Sequence, residues 1–569
     1  MMTKAFFNKL PFEVFRRYVR TGKSIPQRSP RTRKSLLVGG TIASAVVLYN
    51  FNDTFHDSVK HTALTTKRIA VVTQATTRCF YHYKRALNKS YENKKEREVA
   101  LNKCHKMCAL ITLHALRSNG GIYIKLGQHI GAMTYLLPKE WTDTMIPLQD
   151  HCPESTYEEI DELFKEDLGT SIEDMFLEFN KTPIGVASLA QVHVAKLKNS
   201  DGKGSSVAVK CQHPSLKEFI PLDVMLTRTV FELLDVFFPD YPLTWLGDEL
   251  QSSIYVELNF TKEAENAEKT RHYFSKFKKQ TALKIPKVIE SHKRILIMEY
   301  VGGKRLDDLE YIDSHGISRS EVSSCLSHIF NNMIFTPNVG IHCDPHGGNL
   351  AIRSVKPAKD NGYHNFEIVL FDHGLYRYPS TRTRRLYAKF WLSLLFDKDQ
   401  TKMKKYAKGF ANITDEQFPL LAAAITGRSI DAALNYDIST SRTQEEMDVM
   451  ANGILEGTLL SDLMSILSRI PRVVLLILKT NDLTRHLDEC LQNPLGPERT
   501  FLIMTQYCAK TVYDEKVERI NSEYARWSIK WMWENLTNWI VYERRINQLY
   551  FYDFVLWWKK FIPKTWLSS

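Results

Sequence analysis

The sequence predicts an α+β fold of two lobes with a polar cleft between them, and three observations carry that expectation. A run with strand character, VAVKCQHP, brings a single lysine, Lys210, to its end. A helical stretch after it, VELNFTKEAEN, carries Glu257 and Glu263. Far downstream, HCDPHGGN forms a polar loop between an apolar stretch of helical spacing (Ile329, Phe330, Met333, Ile334) and FEIVLFDHG, a buried strand ending at Asp372. An apolar strand that carries one lysine inward is costly unless the lysine meets anions.

At 569 residues the chain is too long for one core, and 44% hydrophobic with 11% aromatic residues is enough to fill two or three packed units. The net charge of +12 is concentrated: residues 1–34 carry ten Lys or Arg against Glu13, and residues 60–106 carry twelve against Glu92, Glu96 and Glu98. Each segment is +9, which leaves the remaining chain at −6. A slightly acidic body is not the phosphate-tracking surface of a nucleic-acid binder, so no nucleic-acid partner is expected.

Residues 1–34 mix these basic residues with Phe6, Phe7, Phe12, Val14 and Phe15, the composition of a mitochondrial presequence, with a disordered basic arm as the alternative. Residues 35–52, SLLVGGTIASAVVLYNFN, hold no charge. At about 1.5 Å per residue they reach roughly 27 Å, enough for a single transmembrane helix. Gly39, Gly40, Thr41 and Ser44 leave a buried soluble helix open. A span there keeps the basic end in the matrix, so that the inner membrane holds one pass and the C-terminal domain faces the intermembrane space. The nine cysteines include no CxxC pair; Cys104 and Cys108 could share a helical face, but neither a disulfide framework nor a structural zinc is expected.

Residues 53–110 read as a charged helical linker and 111–181 as a helical extension containing GGIYIKLGQHIGAMTYLLPKEW. Lys125 and Gln128 lie on one helical face, and Gly127 between them lets another backbone approach. The N-lobe is assigned to 182–301. There PIGVASLAQVHVAKL, the turn NSDGKGSS and VAVKCQHP read as a hairpin whose second strand carries Lys210. In a single helix over roughly 245–278, Glu257 and Glu263 would point some 120° apart, so Glu263 is paired with Lys210 and Glu257 with Lys125. RILIMEYVGG reads as a strand entering a glycine linker, where an adenine would meet backbone near Glu299, Tyr300 and Val301. The C-lobe is assigned to 302–500.

Asp344 and Asn349 are five apart, and Asp372 follows 23 residues later. A phosphoryl-transfer site needs a carboxylate near the nucleophile and an Asn and an Asp on Mg²⁺, because its chemistry is mostly positioning and charge neutralisation. Zinc on His342, Cys343 and His346 is the weaker reading, with no fourth ligand and Pro345 interrupting. The order of the parts (turn, strand-Lys, helix-Glu, hinge, Asp-x₄-Asn, Asp-x-Gly) points to a protein-kinase-like fold.

KLGQ, PIGVASLAQVH, VAVKCQHP, Glu257-Leu258-Asn259, HCDPHGGN and FDHG together resemble the signature series of the UbiB family, the aarF-domain-containing atypical kinases, over about residues 105–400. With the basic leader and one span, the chain further resembles fungal mitochondrial members linked to coenzyme Q distribution and lipid homeostasis. The resemblance implies a kinase-like fold whose N-terminal extension lays KxGQ across the site, and ATP (or ADP) with Mg²⁺ as cofactors. It implies ATP hydrolysis more than protein phosphorylation, and mitochondrial membrane lipids, coenzyme Q or isoprenoid precursors as partners. By the same resemblance Lys210 contacts phosphates and Glu263 orients it. Asn349 and Asp372 hold Mg²⁺, Asp344 takes the base position, and Lys125, Gly127, Gln128 and Glu257 gate the pocket. The family's E-x-D is here Glu-Leu-Asn, and the metal motif reads Asp-His-Gly.

Loops that cover ATP phosphates are glycine-rich because backbone must approach oxygen closely. Here Ile184 and Gly185 are followed by Val186, Ala187 and Ser188, so unconventional triphosphate engagement is expected. Residues 501–569 form a helical tail, and its last 46 positions hold fourteen aromatics with seven basic and three acidic residues. That composition suits either the bilayer interface or a cap on the second lobe. Three classes of function stay open: a membrane-anchored ATPase of the UbiB kind, a small-molecule or lipid kinase, and a non-catalytic nucleotide-binding scaffold.

Overall fold

The computed structural model describes residues 53–132, 137–148, 154–198, 204–239, 244–343, 347–426, 470–493 and 498–559. The expected presequence, the expected span at 35–52 and Asp344 lie outside the described residues. Among the described residues no helix is long and apolar enough to cross a membrane. The chain divides into two compact units, 1–70 and 71–569. The described residues of the first, 53–70, are helical throughout.

In the second unit, the C-terminal half of α1 (Asp53–Asn88) and α2 (Lys94–Asn119) are not the linker that the sequence suggests. Cys79, Cys104 and Cys108 meet in one buried cluster. Tyr83 donates to His105 Nδ1 at 2.7 Å and accepts from Trp141 Nε1 at 2.8 Å, and Phe80 packs edge-on to Phe238. The buried side of α2 is built mostly of small residues, Cys104, Cys108, Ala109 and Ala115, beside Leu116 and Asn119, which is why the charge dominates the sequence pattern. Helices α3 (Ile122–Ala132) and α4 (Lys139–Met145) complete the extension.

The N-lobe begins earlier than residue 182. Helix α5 (Tyr157–Leu168) opens on a capping box in which Thr156 and Glu159 exchange bonds, and it ends at Gly169 with φ of 68°. Its apolar side, Ile160, Leu163 and Phe164, packs on Val207, Val209, Ile295 and Ile297 of the sheet. Arg294 ties the helix down, donating to Asp167 at 2.8 Å. The strands are β1 (Phe176–Phe179), β2 (Gly185–Val186), β3 (Ala190–Leu197), β4 (Ser205–Gln212), β6 (Val288–Ser291) and β7 (Ile295–Glu299); β5 (Leu283–Lys284) belongs elsewhere. The sheet is antiparallel in the order β1-β3-β4-β7-β6, with β2 on β3. After β4 come α6 (Ser215–Phe237), α7 (Thr244–Glu257) and α8 (Phe260–Phe274).

The single helix expected over 245–278 is two. The chain breaks at Leu258–Asn259, where Asn259 caps α8 by accepting from the Thr261 N–H at 3.2 Å. Glu257 and Glu263 therefore sit on different helices, and the angular argument that separated their partners does not apply.

In the C-lobe, α9 (Arg319–Phe335) is buried nearly all round. It precedes the short strand β8 (Ile341–His342) and then β9 (Leu350–Ser354), β10 (Phe366–Leu370) and β11 (Tyr376–Arg377). β10 pairs with β9 and with β5, and β11 pairs with β8. Helices α10 (Thr381–Leu392), α11 (Gln400–Ala411), α12 (Phe418–Thr426), α13 (Arg472–Cys490), α14 (Glu498–Glu523) and α15 (Ile529–Lys559) follow. Tyr387, Trp391, Phe410 and Cys508 share one core with Ile546 and Leu549 of α15.

Candidate functional site: a lysine shared by two lobes

β4 runs Val207, Ala208, Val209 through the N-lobe core and delivers Lys210 to the cleft. Lys210 Nζ lies 2.6 Å from Glu263 Oε1 on α8 and 3.0 Å from Asp372 Oδ2, just past β10. It also sits 5.1 Å from the centroid of the Phe260 ring. The Glu263 side chain is 3% exposed and that of Lys210 13%, whereas Asp372 lies deep in the protein yet keeps 36% of its side-chain surface open because it faces the cleft.

Asp372 is held from several sides. Its Oδ1 accepts from the Gly374 N–H at 2.8 Å, and its own carbonyl accepts from His342 Nε2 at 2.7 Å. Asn266 of α8 donates to the His373 carbonyl at 3.0 Å. His373 is buried and neutral between Tyr376 and the Leu370 carbonyl. The β8–β11 pairing, with Tyr376 opposite His342, thus holds His342 beside the Asp-His-Gly segment.

Electrostatics follow from burial. Burial alone would raise the Asp372 carboxyl, but Lys210, the Gly374 N–H, His342 and Lys125 hold it well below the usual carboxylate range. Burial opposes the charge on Lys210, yet Asp372 and Glu263 keep it firmly protonated. Glu263 is the strained member: burial pushes it up to about 7, Asp372 adds to the push, and Lys210 only partly offsets them.

A second ion pair lies beside the first. Lys125 Nζ on α3 is 3.0 Å from Glu257 Oε2 at the end of α7, both side chains 13% exposed. A methyl group placed on Gly374 would come 3.6 Å from Glu257 Cγ and 3.2 Å from Asp372 Oδ1, so Glu257 borders the Asp-His-Gly turn. The structure brings Lys125, Glu257, Lys210, Glu263 and Asp372 into one neighbourhood. Gln128, by contrast, donates to the Leu148 carbonyl at 3.0 Å. Gly127 makes room for a side chain rather than a backbone: an added Cβ would lie 2.1 Å from Leu148 Cδ1.

The small-residue loop is a β2–β3 hairpin. Ile184 and Gly185 are exposed, Val186 is half-buried, and Ser188 is buried. The Ala187 N–H is bound to the Ala190 carbonyl at 2.8 Å, and the Ala187 carbonyl accepts from His213 Nε2 at 3.0 Å. At the hinge, the Glu299 carboxylate accepts from Lys284 Nζ at 2.8 Å and from the Lys287 N–H at 3.1 Å. Val301 is buried beside Ala351 and Val369. Asn349 is half-buried, and its carbonyl accepts from the Phe371 N–H at 3.0 Å, one residue before Asp372. Asp372 and Asn349 present hard oxygen donors, which fits Mg²⁺ because that ion takes one or two carboxylates and completes its shell with waters and substrate phosphates.

Two contributors escape the sequence. Lys479 of α13 donates to the Cys343 carbonyl at 3.1 Å, steadying the loop from another part of the lobe, and nothing local marks it. Asn259 could have been found, since Asn before Phe-Thr-Lys-Glu is an N-terminal helix signal.

Residues 147–407 match the family described as the ABC1 atypical kinase-like domain. The chain is 44% identical over 500 residues to the ABC1 family protein MCP2 homolog of Schizosaccharomyces pombe, covering 88% of each. It is 32% identical over 540 residues to AarF domain-containing protein kinase 1 of Gallus gallus, covering 94% of this chain and 98% of that one. It is 34% identical over 484 residues to AarF domain-containing kinase 1 of Drosophila melanogaster, covering 84% and 89%. A solved structure of Rv3197 with erythromycin, from Mycobacterium tuberculosis, aligns with 65% of this chain and 92% of that one at 19% identity and a TM-score of 0.36, and it carries no weight beside the sequence relatives.

Proposed function

The chain belongs to the ABC1/AarF family of atypical kinases, and from that premise we propose that it binds a Mg²⁺-nucleotide, ATP or ADP, in the cleft between Lys210 and Asp372 and turns ATP over there. The single observation that supports this reading is the position of Lys210 between Glu263 and Asp372. In it, Lys210 binds phosphate oxygens while Glu263 keeps its side chain aimed into the cleft. Asp372 and Asn349 hold the metal, which when bound supplies charge neutralisation to the phosphates. Asp344 takes the base position. The Lys125–Glu257 pair stands over the Asp-His-Gly turn and limits the space a protein substrate would need. Ile184 to Ser188 cover the nucleotide loosely, and the backbone beside Glu299 and Val301 receives the base.

The setting we propose is the mitochondrial inner membrane, with residues 1–34 as presequence and 35–52 as a single span. The folded domain faces the intermembrane space and acts in lipid homeostasis or in the distribution of coenzyme Q or its isoprenoid precursors. A second reading, a non-catalytic nucleotide-binding scaffold, is favoured by the engagement of both backbone polar groups of Ala187 within the protein. The N–H, the one of the two that can donate, is therefore not offered to phosphates.

Binding and turnover of ATP by the wild type and by Asp372→Asn, with and without vesicles, test the proposal. Mg²⁺-dependent binding with turnover, lost in the variant, is expected. Binding without turnover selects the scaffold, and a wild type that binds neither ATP nor ADP refutes both.

A further inference from the structure

Helix α15, Ile529–Lys559, is divided lengthwise. One side is fixed to the C-lobe. Asn538 donates to the Tyr513 carbonyl at 3.2 Å, the Tyr542 ring lies 4.7 Å from that of Tyr513, and Ile546 and Leu549 enter the lobe core. Asp553 pairs with Arg499 at 3.2 Å. These residues fall on one side at about 100° per residue.

The opposite side is apolar and open. Ile529 is 88% exposed, Trp533 64%, Leu536 46%, Ile540 50%, Phe551 64%, Phe554 54% and Trp558 54%. Stepping about 100° per residue, these seven lie within roughly 40° of one line, and from the first to the last the line runs on the order of 44 Å at about 1.5 Å per residue. Met532, Trp539 and Tyr550 flank it, all exposed. The line is apolar over two stretches, 529–540 and 551–558, separated by Glu543, Arg544 and exposed Asn547, and exposed apolar patches of this kind mark interaction surfaces. It is not slack in a loose tail, because the other side of the same helix is part of the lobe core.

The charge on this helix selects the occupant. Between residues 525 and 558, the charged residues in the exposed class are Arg526, Lys530 and Arg544, all basic. The acidic Glu534, Glu543 and Asp553 are each half-buried. An apolar stripe rich in tryptophan and tyrosine, bordered by exposed cations and by no exposed anion, matches an anionic lipid surface in both chemistry and geometry. Tyr and Trp place an apolar ring in the acyl boundary and a polar edge among headgroups, while the cations meet phosphates. The helix is polar enough on its docked side that it lies along a bilayer rather than through it.

We propose that α15 is a membrane-interface helix, seated in the plane of an anionic leaflet by Ile529, Trp533, Leu536, Ile540, Phe551, Phe554 and Trp558, which holds the C-lobe against the lipid. This deepens the proposed membrane setting and rests on it, but makes a separate claim: a second contact, built into the kinase-like domain and independent of residues 35–52.

The test uses the full chain in vesicles of phosphatidylcholine and phosphatidylglycerol that carry lipids brominated on the acyl chain. Tryptophan quenching is compared between the wild type and a variant with Trp533→Ser, Ile540→Asp, Phe551→Asp and Phe554→Asp. These are exposed positions, and circular dichroism and Mg²⁺-nucleotide binding check that the variant folds. The wild type should float with the vesicles, with a blue-shifted and strongly quenched emission, and the folded variant should lose most of that quenching. A wild type that floats but is not quenched, or a variant quenched as much as the wild type, overturns this inference and leaves the anchor at 35–52 standing. A wild type that does not float overturns both. Concentration-dependent dimers that vanish in the variant, without lipid quenching, assign the stripe to a second copy of the chain and overturn the lipid assignment.

Discussion

Lys210 Nζ lies 3.0 Å from Asp372 Oδ2, joining residues 162 apart in sequence and located in different lobes. The same ammonium is bound to Glu263 at 2.6 Å. Lys210 therefore already contacts one oxygen of Asp372; on the proposed reading, a nucleotide's phosphate oxygens would replace that contact while Glu263 keeps hold of the lysine.

Asp372→Asn should preserve the fold, since the Gly374 N–H can still be accepted by the amide oxygen. It removes the charge that faces the cleft, and charged hydrogen-bond partners are worth about 1.5–3 kcal/mol. Mg²⁺-dependent affinity for ADP should fall about ten- to a hundredfold in calorimetric titration. Unchanged affinity would remove Asp372 from the metal position.

Glu263 carries a pH signature. Its folded value, about 7, stands above the ordinary glutamate value of 4.5. A group raised in this way contributes stability that is present below 4.5 and lost as pH rises through 7. Glutamine mimics the protonated acid, so Glu263→Gln, free of ligand, should match the wild type near pH 5 and exceed it near pH 8 in denaturant midpoint. An equal gap at both pH values would contradict the assignment.

Gly127 sets the packing of the extension. Alanine gains about 1 kcal/mol of helix propensity, but its Cβ would lie 2.1 Å from Leu148 Cδ1 and 3.0 Å from Leu116 Cδ1. Overpacking costs about 1–3 kcal/mol and wins at such separations. Gly127→Ala should lower Tm by a few degrees and loosen the Lys125–Glu257 contact carried by the same helix. A raised Tm would show that Leu148 moves aside freely.

Burial lowers His105 to about 4 from 6.5, so it is neutral and accepts from Tyr83. Its contribution to stability is full above pH 6.5 and is lost as pH falls toward 4, at up to about 1.4 kcal/mol per pH unit. His105→Asn should flatten the acid limb of the urea midpoint between those values by that amount. An unchanged slope would mean that His105 already titrates as an exposed imidazole does.

The pairings Lys210–Glu263 and Lys125–Glu257 were legible because each charge is carried on an element whose type the residue pattern declares: an apolar strand, a glycine-containing helix. The break between α7 and α8 was misread, since VELNFTKEAEN keeps helical periodicity across Asn259 and only the capping chemistry marks the boundary. The N-lobe's start was misplaced because α5 buries its apolar side on a sheet formed by strands up to about 130 residues later, a contact that no local pattern encodes. Lys479 and the engagement of Ala187 were invisible for the same reason: each depends on a partner brought near only by the finished fold.

Labelling with an acyl-phosphate derivative of ATP, which transfers its acyl group to lysines beside the bound phosphates, tests most directly whether Lys210 and Asp372 grip one nucleotide. Acylation of Lys210 that requires Mg²⁺, is blocked by excess ATP and disappears in Asp372→Asn is predicted. Labelling of Lys210 that is indifferent to Mg²⁺, to ATP and to residue 372, or none at Lys210 while other lysines react, would contradict it.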